Sequence, residues 1–300
     1  MAANLKEVRS RIKSVISTQQ ITKAMKMVSA AKLRKAQQAI IQMRPYSNKL
    51  NAMMKNIMTY SDGEGAAEYA KISLNKKPLL VIITSDRGLC GAFNSNILKL
   101  VHKSISDNYQ SHLLTGDLTA ICIGKKGFEY MRRRFPKCQI ISDHQHLYHD
   151  STFENVVKLA DKLMEHFKSG TYDQIEIFYS RFKNAATQFP EREQYLPVPK
   201  VEKSQSENNT PKHKPDYLFE PKQDQLLAGL IPSILQAQLY KCILDTQASE
   251  HGSRMTAMDK ASENAETMLG ELKINYNKAR QEAITKELSE IVGGVAALAG

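Results

Sequence analysis

The sequence has no tryptophan, and its 300 residues contain only four cysteines, ten prolines and fourteen glycines. Four cysteines are too few for a disulfide scaffold, so we expect reduced thiols. No run of 18 apolar residues occurs, which excludes a membrane-spanning helix. The first residues, MAANLKEVRSRIK, contain no apolar signal core. Hydrophobic residues make up 42% of the chain, enough for a buried core in one domain or two.

Acidic residues are nearly absent from the first fifth of the chain. Residues 1–60 contain 12 Lys and Arg side chains but a single acid, Glu7, and their excess of +11 equals the net charge of the whole protein. Residues 222–300 contain 8 bases and 10 acids. The basic segment favours an acidic partner: a nucleic acid, an anionic lipid or an acidic protein surface.

The N-terminal residues 2–58 have the composition and rhythm of a long helix. They are rich in good helix formers, and Pro45 predicts a kink or break. Apolar residues recur in steps of three and four, as in a coiled-coil seam. This seam contains Leu5, Val8, Ile12, Val15, Met25, Val28, Ile40, Met43, Leu50, Met53 and Ile57.

The C-terminal residues 222–298 carry a second seam, in which steps of four and three alternate without a miss. Such a 3.5-residue period predicts a left-handed supercoil, and residues 240–298 would extend about 88 Å as one helix. The seam runs through Leu244, Ala248, His251, Met255, Met258, Ser262, Ala265, Leu269, Leu272, Tyr276, Ala279 and Ala283, and a second register follows at Ile284, Leu288, Ile291, Val295 and Leu298.

Strands and helices alternate between these two blocks. We expect strands at 79–84, 119–123 and 139–141, helices at 94–109, 126–135 and 153–168, and a hairpin of 173–182 with 187–198, in which Pro190 lies at a bend or edge. The predicted fold class is α/β plus long helices: an antiparallel two-helix coiled coil formed by both termini, with a small Rossmann-like α/β domain between them. The predicted domains are residues 1–60, 75–199, 200–220 and 221–300.

Two glycines follow the first predicted strand, in Gly88-Leu89-Cys90-Gly91. A phosphate cradle is one interpretation, and it would make the α/β domain a nucleotide-dependent enzyme that binds or hydrolyses ATP alone. The third glycine of a dinucleotide motif is missing, however, and no Gly-Lys-Ser/Thr follows. We favour a tight turn that serves as a contact loop.

Candidate catalytic and metal-binding residues form no recognisable set. The four cysteines have no metal-ligand spacing, and Cys90 has no partnered His pattern nearby. His144, His146 and His149 could hold a metal, although a solvated surface explains them better. We therefore expect no catalytic residue, no metal and no cofactor.

The basic N-terminal face has several interpretations. It includes Lys23, Lys26, Lys32, Arg34 and Lys35, which could bind phosphates, but residues 1–60 contain only two aromatic residues for stacking on bases. A nucleic-acid or membrane-surface adaptor, a targeting helix and a plain solvated face are alternatives. An adaptor would need no protein partner, and salt would weaken its binding steeply. The apolar end IVGGVAALAG suggests instead that the chain terminus lies inside a partner.

Four stretches resemble the gamma subunit of F-type ATP synthases. They occur in the order of that family and span almost the whole chain, and together they are highly specific. These stretches are residues 18–35 (TQQITKAMKMVSAAKLRK), 85–94 (SDRGLCGAFN), 217–221 (YLFEP) and 276–294 (YNKARQEAITKELSEIVGG).

The resemblance implies a central rotor shaft that transmits rotation of the c-subunit ring to the catalytic sites of the beta subunits. The implied partners are the alpha and beta subunits, which form a hexamer, the epsilon subunit and the c ring, with no nucleic acid and no chemistry in this chain. The implied contacts with beta are Lys23, Met25, Lys26, Asp86, Arg87, Cys90, Arg280, Gln281 and Thr285. Tyr217 and Glu220 match the foot on the c ring, and Val292, Val295 and Leu298 match the tip held in an apolar sleeve.

The polar residues 200–215 lie where the family varies in length, and they carry no role that we can assign. They contain no cysteine, so the thiol switch of plastid members is absent. No presequence precedes the first motif, which favours a bacterial chain. The expected location is peripheral, on the cytoplasmic side of the inner membrane, with membrane association through the complex only.

Overall fold

The computed structural model describes residues 5–60, 69, 77–198 and 223–299. Six helices, five strands and one short 3₁₀ turn make up this part of the chain. In order they are α1 (Leu5–Tyr60), β1 (Pro78–Ile83), α2 (Phe93–Asn108), α3 (Gln110–Thr115), β2 (Thr119–Ile123), α4 (Lys125–Arg134), β3 (Gln139–Ile141), the turn (Gln145–Tyr148), α5 (Phe153–Lys168), β4 (Gln174–Phe182), β5 (Gln188–Leu196) and α6 (Gln223–Ala299).

The chain divides into two compact units, and the divisions fall inside the two long helices. One unit combines Met1–Ala30 with Arg254–Gly300, and the other is Ala31–Ser253. These boundaries differ from the domain limits expected from the sequence, which followed the ends of the helices. Composition marks where a helix begins and ends, but it does not show which part of that helix packs on the α/β domain.

The larger unit contains a five-stranded sheet in the order β3-β2-β1-β4-β5. The pairs β1–β2, β1–β4 and β2–β3 are parallel, and β4–β5 is antiparallel. The mostly parallel sheet and its hairpin are therefore confirmed. Pro190 lies in the edge strand β5, where a residue without an N–H is tolerated.

Alternate side chains of β1 enter two different cores, because successive residues of a strand point to opposite faces. Leu80 and Ile82 pack with α2 and α4. Leu79, Val81 and Ile83 pack with α5 and with apolar residues of α6 between positions 231 and 243. The long C-terminal helix is therefore one wall of the α/β domain.

The two terminal helices run antiparallel, as the seams predicted. In the smaller unit, the Thr22 and Ser262 hydroxyl oxygens are 2.7 Å apart, and the Lys26 ammonium forms an ion pair with Asp259. The paired residue numbers add to 284 and 285, as required for helices of opposite direction. Within the larger unit, Leu50 packs with Ile234 and Ala237 in the same sense.

One seam position predicted in α1 was wrong, and one alternative at Pro45 is excluded. Of the kink or break expected at Pro45, the break does not occur, because α1 continues to Tyr60. Val28 is 58% exposed, whereas Ser29 is buried and Lys26 is half-buried. The observed seam therefore keeps the strict alternation of three and four that Leu5, Val8, Ile12 and Val15 begin. It includes polar residues at positions where we predicted apolar ones.

The seam predicted in α6 is confirmed as far as Ala283. All twelve of its residues from Leu244 to Ala283 are buried or half-buried. The second register is exposed: Ile284, Leu288, Ile291 and Val295 are between 47% and 63% exposed. The helix register places Leu5, the first described residue of α1, opposite about residue 279, so α6 extends beyond the described part of its partner.

We predict that cysteines at positions 22 and 262 will form a disulfide under mild oxidation, because the two hydroxyl oxygens they replace are 2.7 Å apart. Mobility on a non-reducing gel and mass spectrometry of the linked peptides would detect the bond. The matched control is Ile21→Cys with Ser262→Cys, since Ile21 is 57% exposed and points away from α6. Efficient bonding in the control but not in the test pair would contradict the register.

Candidate partner-binding surfaces

The loop between β1 and α2 is held from inside by a network around Asn94. Asn94 accepts a hydrogen bond from the Ser85 N–H at 3.1 Å, and its amide donates to Ser85 Oγ at 2.7 Å and to Cys90 Sγ at 3.2 Å. Leu89 and Gly91 have positive φ angles of 63° and 59°, which close the turn tightly. Ser85 and Cys90 are buried, so the network fixes the loop from beneath.

Asp86 connects this loop to two neighbouring loops. One carboxylate oxygen accepts the Lys125 N–H at 2.9 Å, and the other lies 2.9 Å from His149 Nε2. The Asp86 side chain is only 7% exposed. The three loops that follow β1, β2 and β3 thus meet at one carboxylate. His149 was read from the sequence as solvated surface, and the proximity of its loop to Asp86 depends on the sheet order.

The ends of β1 and β2 approach so closely that Gly124 has no room for a side chain. A Cβ there would lie 2.1 Å from the Thr84 carbonyl oxygen, and the φ of Gly124 is +99°. The Thr84 hydroxyl accepts the Gly127 N–H at 2.8 Å, which fixes the start of α4. This contact fixes the loop after β2 against the end of β1.

The loop presents a small outer surface made mainly of Arg87 and Leu89. Both side chains are exposed, and Leu89 is 67% exposed. Cys90 is 1% exposed and Asp86 is largely covered. Of the three loop residues expected to contact a partner, the structure thus places Arg87 outside and the other two in supporting positions. Leu89 was missed, because its neighbour Cys90 lies between the same two glycines and is buried, so the sequence alone does not show which of the two is exposed.

A sheet of this order normally binds its ligand at the carboxyl ends of the strands. The crevice lies between β1 and β4, where the strand order reverses direction. In this protein α6 crosses the carboxyl end of β4. The Ser180 carbonyl accepts a hydrogen bond from Ser249 Oγ at 3.1 Å, and a Cβ on Gly252 would lie 3.2 Å from the Cα of Ala185. The chain's own helix therefore occupies this side of the crevice, which argues against the nucleotide-dependent enzyme.

The three candidate residues on α1 differ in what they contact. Lys23 is exposed and Met25 is half-buried. The Lys26 ammonium is bound to Asp259, and both side chains are nearly half exposed. A surface ion pair of this kind contributes only about 0–1 kcal/mol, so its main effect is to orient Lys26 along the seam. Lys23 is left to face outward, and Met25 lies half-buried at the edge of the seam.

The candidates on α6 form a separate surface. Gln281 and Thr285 lie one helical turn apart and line a shallow polar groove with Lys278 and Ser289, and Arg280 is exposed beside it. The helix register places Met25 opposite about residue 260, about 20 residues from Arg280 and thus about 30 Å along the helix. The structure therefore brings the candidates together as two sites rather than one.

Beyond these groups, the predicted tip and foot differ in how much can be described. Val292 and Val295 of the tip are 67% and 61% exposed. Leu298 lies in α6, but its side chain is outside the described residues. Tyr217 and Glu220 of the foot also lie outside the described residues.

The cysteines and histidines show no metal-binding cluster in the part of the chain that the structure describes. All four cysteines are buried, and none of them forms a disulfide. Burial raises the pKa of Cys122 and of Cys138 to about 12, so both thiols stay protonated and unreactive at neutral pH. Burial and the nearby Lys162 lower the pKa of His144. Among residues 5–60, 77–198 and 223–299, no helix is long and apolar enough to cross a bilayer.

The coiled coil has an exposed apolar end, and α6 covers one side of the ligand crevice in the α/β domain. These two features define a protein that acts through contacts with other proteins. The comparisons with known proteins agree. A family model described as ATP synthase matches residues 4–298.

The chain is 48% identical to the ATP synthase gamma chain of Flavobacterium psychrophilum over 99% of this chain and 100% of that relative. The gamma chain of Flavobacterium johnsoniae is 49% identical with the same coverage. A solved chain from the central stalk and c ring of the Tetrahymena thermophila mitochondrial ATP synthase is 25% identical, with a TM-score of 0.57 over 81% of this chain and 99% of that chain. A chain of the Euglena gracilis mitochondrial enzyme, 20% identical, shares the fold with a TM-score of 0.65 over 98% of this chain and 94% of that chain.

The chain therefore belongs to the family of ATP synthase gamma chains, as its four motifs indicated. Its function is that of a rotor subunit in ATP synthesis.

We predict that Gly124→Ala will destabilise the α/β domain by roughly 3 kcal/mol or more, because the new Cβ collides with the Thr84 carbonyl and strains the backbone. Urea unfolding of the purified chain would measure the change. Gly116→Ala is the matched control, since Gly116 also has a positive φ of +84° but nothing lies within 4 Å of the added Cβ. We expect the control to lose about 1–2 kcal/mol. Equal losses in the two variants would show that the close approach is unimportant.

Proposed function

We propose that this chain is the central shaft of a proton-translocating ATP synthase. It transmits rotation of the c-subunit ring to the beta-subunit catalytic sites, and it performs no chemistry itself. The observation that carries this proposal is the end of α6, which continues past the described start of α1 with Ile284, Leu288, Ile291 and Val295 all exposed. An apolar helix end of this length is a liability in water unless a partner surrounds it. The hexamer of alpha and beta subunits supplies such a sleeve.

A shaft needs torsional stiffness, and the paired helices provide it. Neither helix can twist alone without breaking the shared seam, in which Val8, Leu269 and Met258 are buried. A shaft also needs a surface that differs around its axis. Residues 1–60 carry an excess of +11, whereas residues 222–300 carry an excess of two acids, so the helices present different charges. Each beta subunit therefore meets a different potential as the shaft turns, which couples rotation to the catalytic sites through differential contact energy.

The proposed contacts with beta follow from the exposed candidates. Gln281 and Thr285, with Arg280 beside them, offer polar groups for one beta loop. Lys23 and Met25, about 30 Å away along the helices, face a second, acidic beta segment. Lys26 contributes to the contact with this beta segment, and its ion pair with Asp259 orients it along the seam.

The loop after β1 contributes a third contact through Arg87 and Leu89. Asp86 and Cys90 act there by holding the loop in shape, since both lie largely inside. Tyr217 and Glu220 are proposed to meet the c ring, with the epsilon subunit nearby. Membrane association then occurs through the complex, on the cytoplasmic side of a bacterial inner membrane.

A tagged copy of the chain tests the assembly directly. From a detergent extract of cells that express it, we expect the tag to recover alpha, beta and epsilon subunits together with the c ring. Deletion of residues 284–300 should reduce recovery of alpha and beta while epsilon remains bound, because only the protruding end of α6 is lost. Recovery of nucleic acid, or of no other subunit, would contradict the proposal.

We expect Met25→Lys to impair coupling, because it adds a cation to a half-buried seam edge next to the Lys26–Asp259 pair. ATP-driven proton pumping by inverted vesicles should fall more than ATP hydrolysis. The control is Met27→Lys, since Met27 is 75% exposed and can carry the charge in solvent. Normal pumping in the Met25 variant would argue against this contact.

A further inference from the structure

The joint between α6 and the α/β domain changes character along the helix. From Ile231 to Ile243 the fully buried side chains of α6 are apolar and complete one core of the sheet, while the half-buried Gln236 and Gln238 donate hydrogen bonds to Asp161 and Glu193. From Thr246 onward the contacts are polar, although Thr246, Ser249 and Glu250 are all at most 4% exposed. Burial of polar groups is costly unless each is hydrogen-bonded, so a polar stretch in this place needs an explanation.

The first polar contact is with the backbone of β4. The Ser180 N–H donates to Thr246 Oγ1 at 3.4 Å, and the Ser180 carbonyl accepts from Ser249 Oγ at 3.1 Å. The neighbouring strand β1 does not reach these groups. It ends at Ile83, and its register with β4 ends at the pair Ile82 and Phe178, two residues before Ser180. Two hydroxyl groups of α6 take the place of a neighbouring strand.

The second polar contact is with the turn before α5. The Tyr148 hydroxyl donates a hydrogen bond to the Glu250 carboxylate, and both residues are buried. One turn of helix away, the Gln247 amide donates to the Tyr148 carbonyl at 2.8 Å and to Ser151 Oγ at 2.9 Å. Neighbouring residues on one face of α6 are thus fixed to two different parts of the α/β domain.

We propose that these contacts form a torsional latch, which we define as Thr246 and Ser249 bound to Ser180, together with Glu250 bound to Tyr148. The latch prevents α6 from turning about its axis or sliding against the α/β domain, and so makes the domain and the shaft rotate as one body. Apolar contacts resist separation but are not directional, whereas hydrogen bonds depend on angle as well as distance. The latch residues are positioning residues for the coupling of rotation, and the inference rests on the rotor function.

Single-molecule rotation of the assembled enzyme tests this inference. The alpha and beta subunits are fixed to glass, and a bead is attached to a cysteine that replaces Lys158, an exposed residue of α5. The four native cysteines are buried, so labelling will be selective. In the absence of ATP, the angular fluctuation of the bead reports the torsional stiffness between the α/β domain and the held shaft.

We expect Thr246→Val with Ser249→Ala to broaden this fluctuation, because loss of each hydrogen bond raises the population of the disengaged state roughly fivefold. ATP hydrolysis should change little, and protons pumped per ATP should fall. The control is Ser233→Ala with Thr267→Val, which removes one hydroxyl of each kind from the same helix, where both bond only to carbonyl oxygens of α6. We expect the control to match the unmodified protein.

Tyr148→Phe is the second test, because it keeps the ring and removes only the hydroxyl bound to Glu250. Tyr148→Phe should also broaden the angular fluctuation of the bead. This variant tests the latch on its own if the double variant fails to assemble. Unchanged fluctuation in Tyr148→Phe and in an assembled double variant would overturn the latch. If the bead fails to rotate with ATP on the unmodified chain, the rotor assignment itself is wrong, so the two failures are distinguishable.

Discussion

The antiparallel seam between the two terminal helices is the interaction on which the rest of the structure depends. It joins the beginning of the chain to its end, so the α/β domain is inserted between two segments that must find each other across more than 200 residues. Closing a loop of this length costs conformational entropy, although the cost grows slowly with length. In both helices, seam residues recur in alternating steps of three and four, and their many small contacts offset this entropy cost.

Polar residues within the seam set the register rather than the strength of the coil. The paired Thr22 and Ser262 hydroxyls are buried, and Lys26 meets Asp259 one turn further. A slip by one heptad would leave the hydroxyls without partners, which is costly inside a seam. Small and polar residues bury less apolar area than Leu or Ile would, so this part of the coil gives up stability. We interpret the loss as the cost of a single alignment.

The sequence predicted the elements of the α/β domain well, because its central strands β1, β2 and β4 are buried on both faces and carry apolar runs such as residues 79–83. It also predicted the seam of α6, including the polar Ser262, since the period is unbroken there. The prediction of the α1 seam was wrong at Val28, because the apolar residue was chosen instead of Ser29, which the alternation of three and four requires. His149 and Glu250 were missed for another reason: their partners Asp86 and Tyr148 are 63 and 102 residues away, and only the sheet order and the helix position bring them together.

One helix belongs to both units, and this continuity explains why the α/β domain needs no separate means of passing on rotation. α6 leaves the wall of the sheet near Glu250 and continues without interruption into the seam at Met258 and Ser262. An unbroken helix transmits torque through its own backbone hydrogen bonds, so the joint with the domain is the point at which slipping could occur. At Thr246, Ser249 and Glu250 the buried contacts of that joint are polar and directional, just before α6 continues into the smaller unit. These buried hydrogen bonds therefore lie where the torsional load passes from the domain into the shaft.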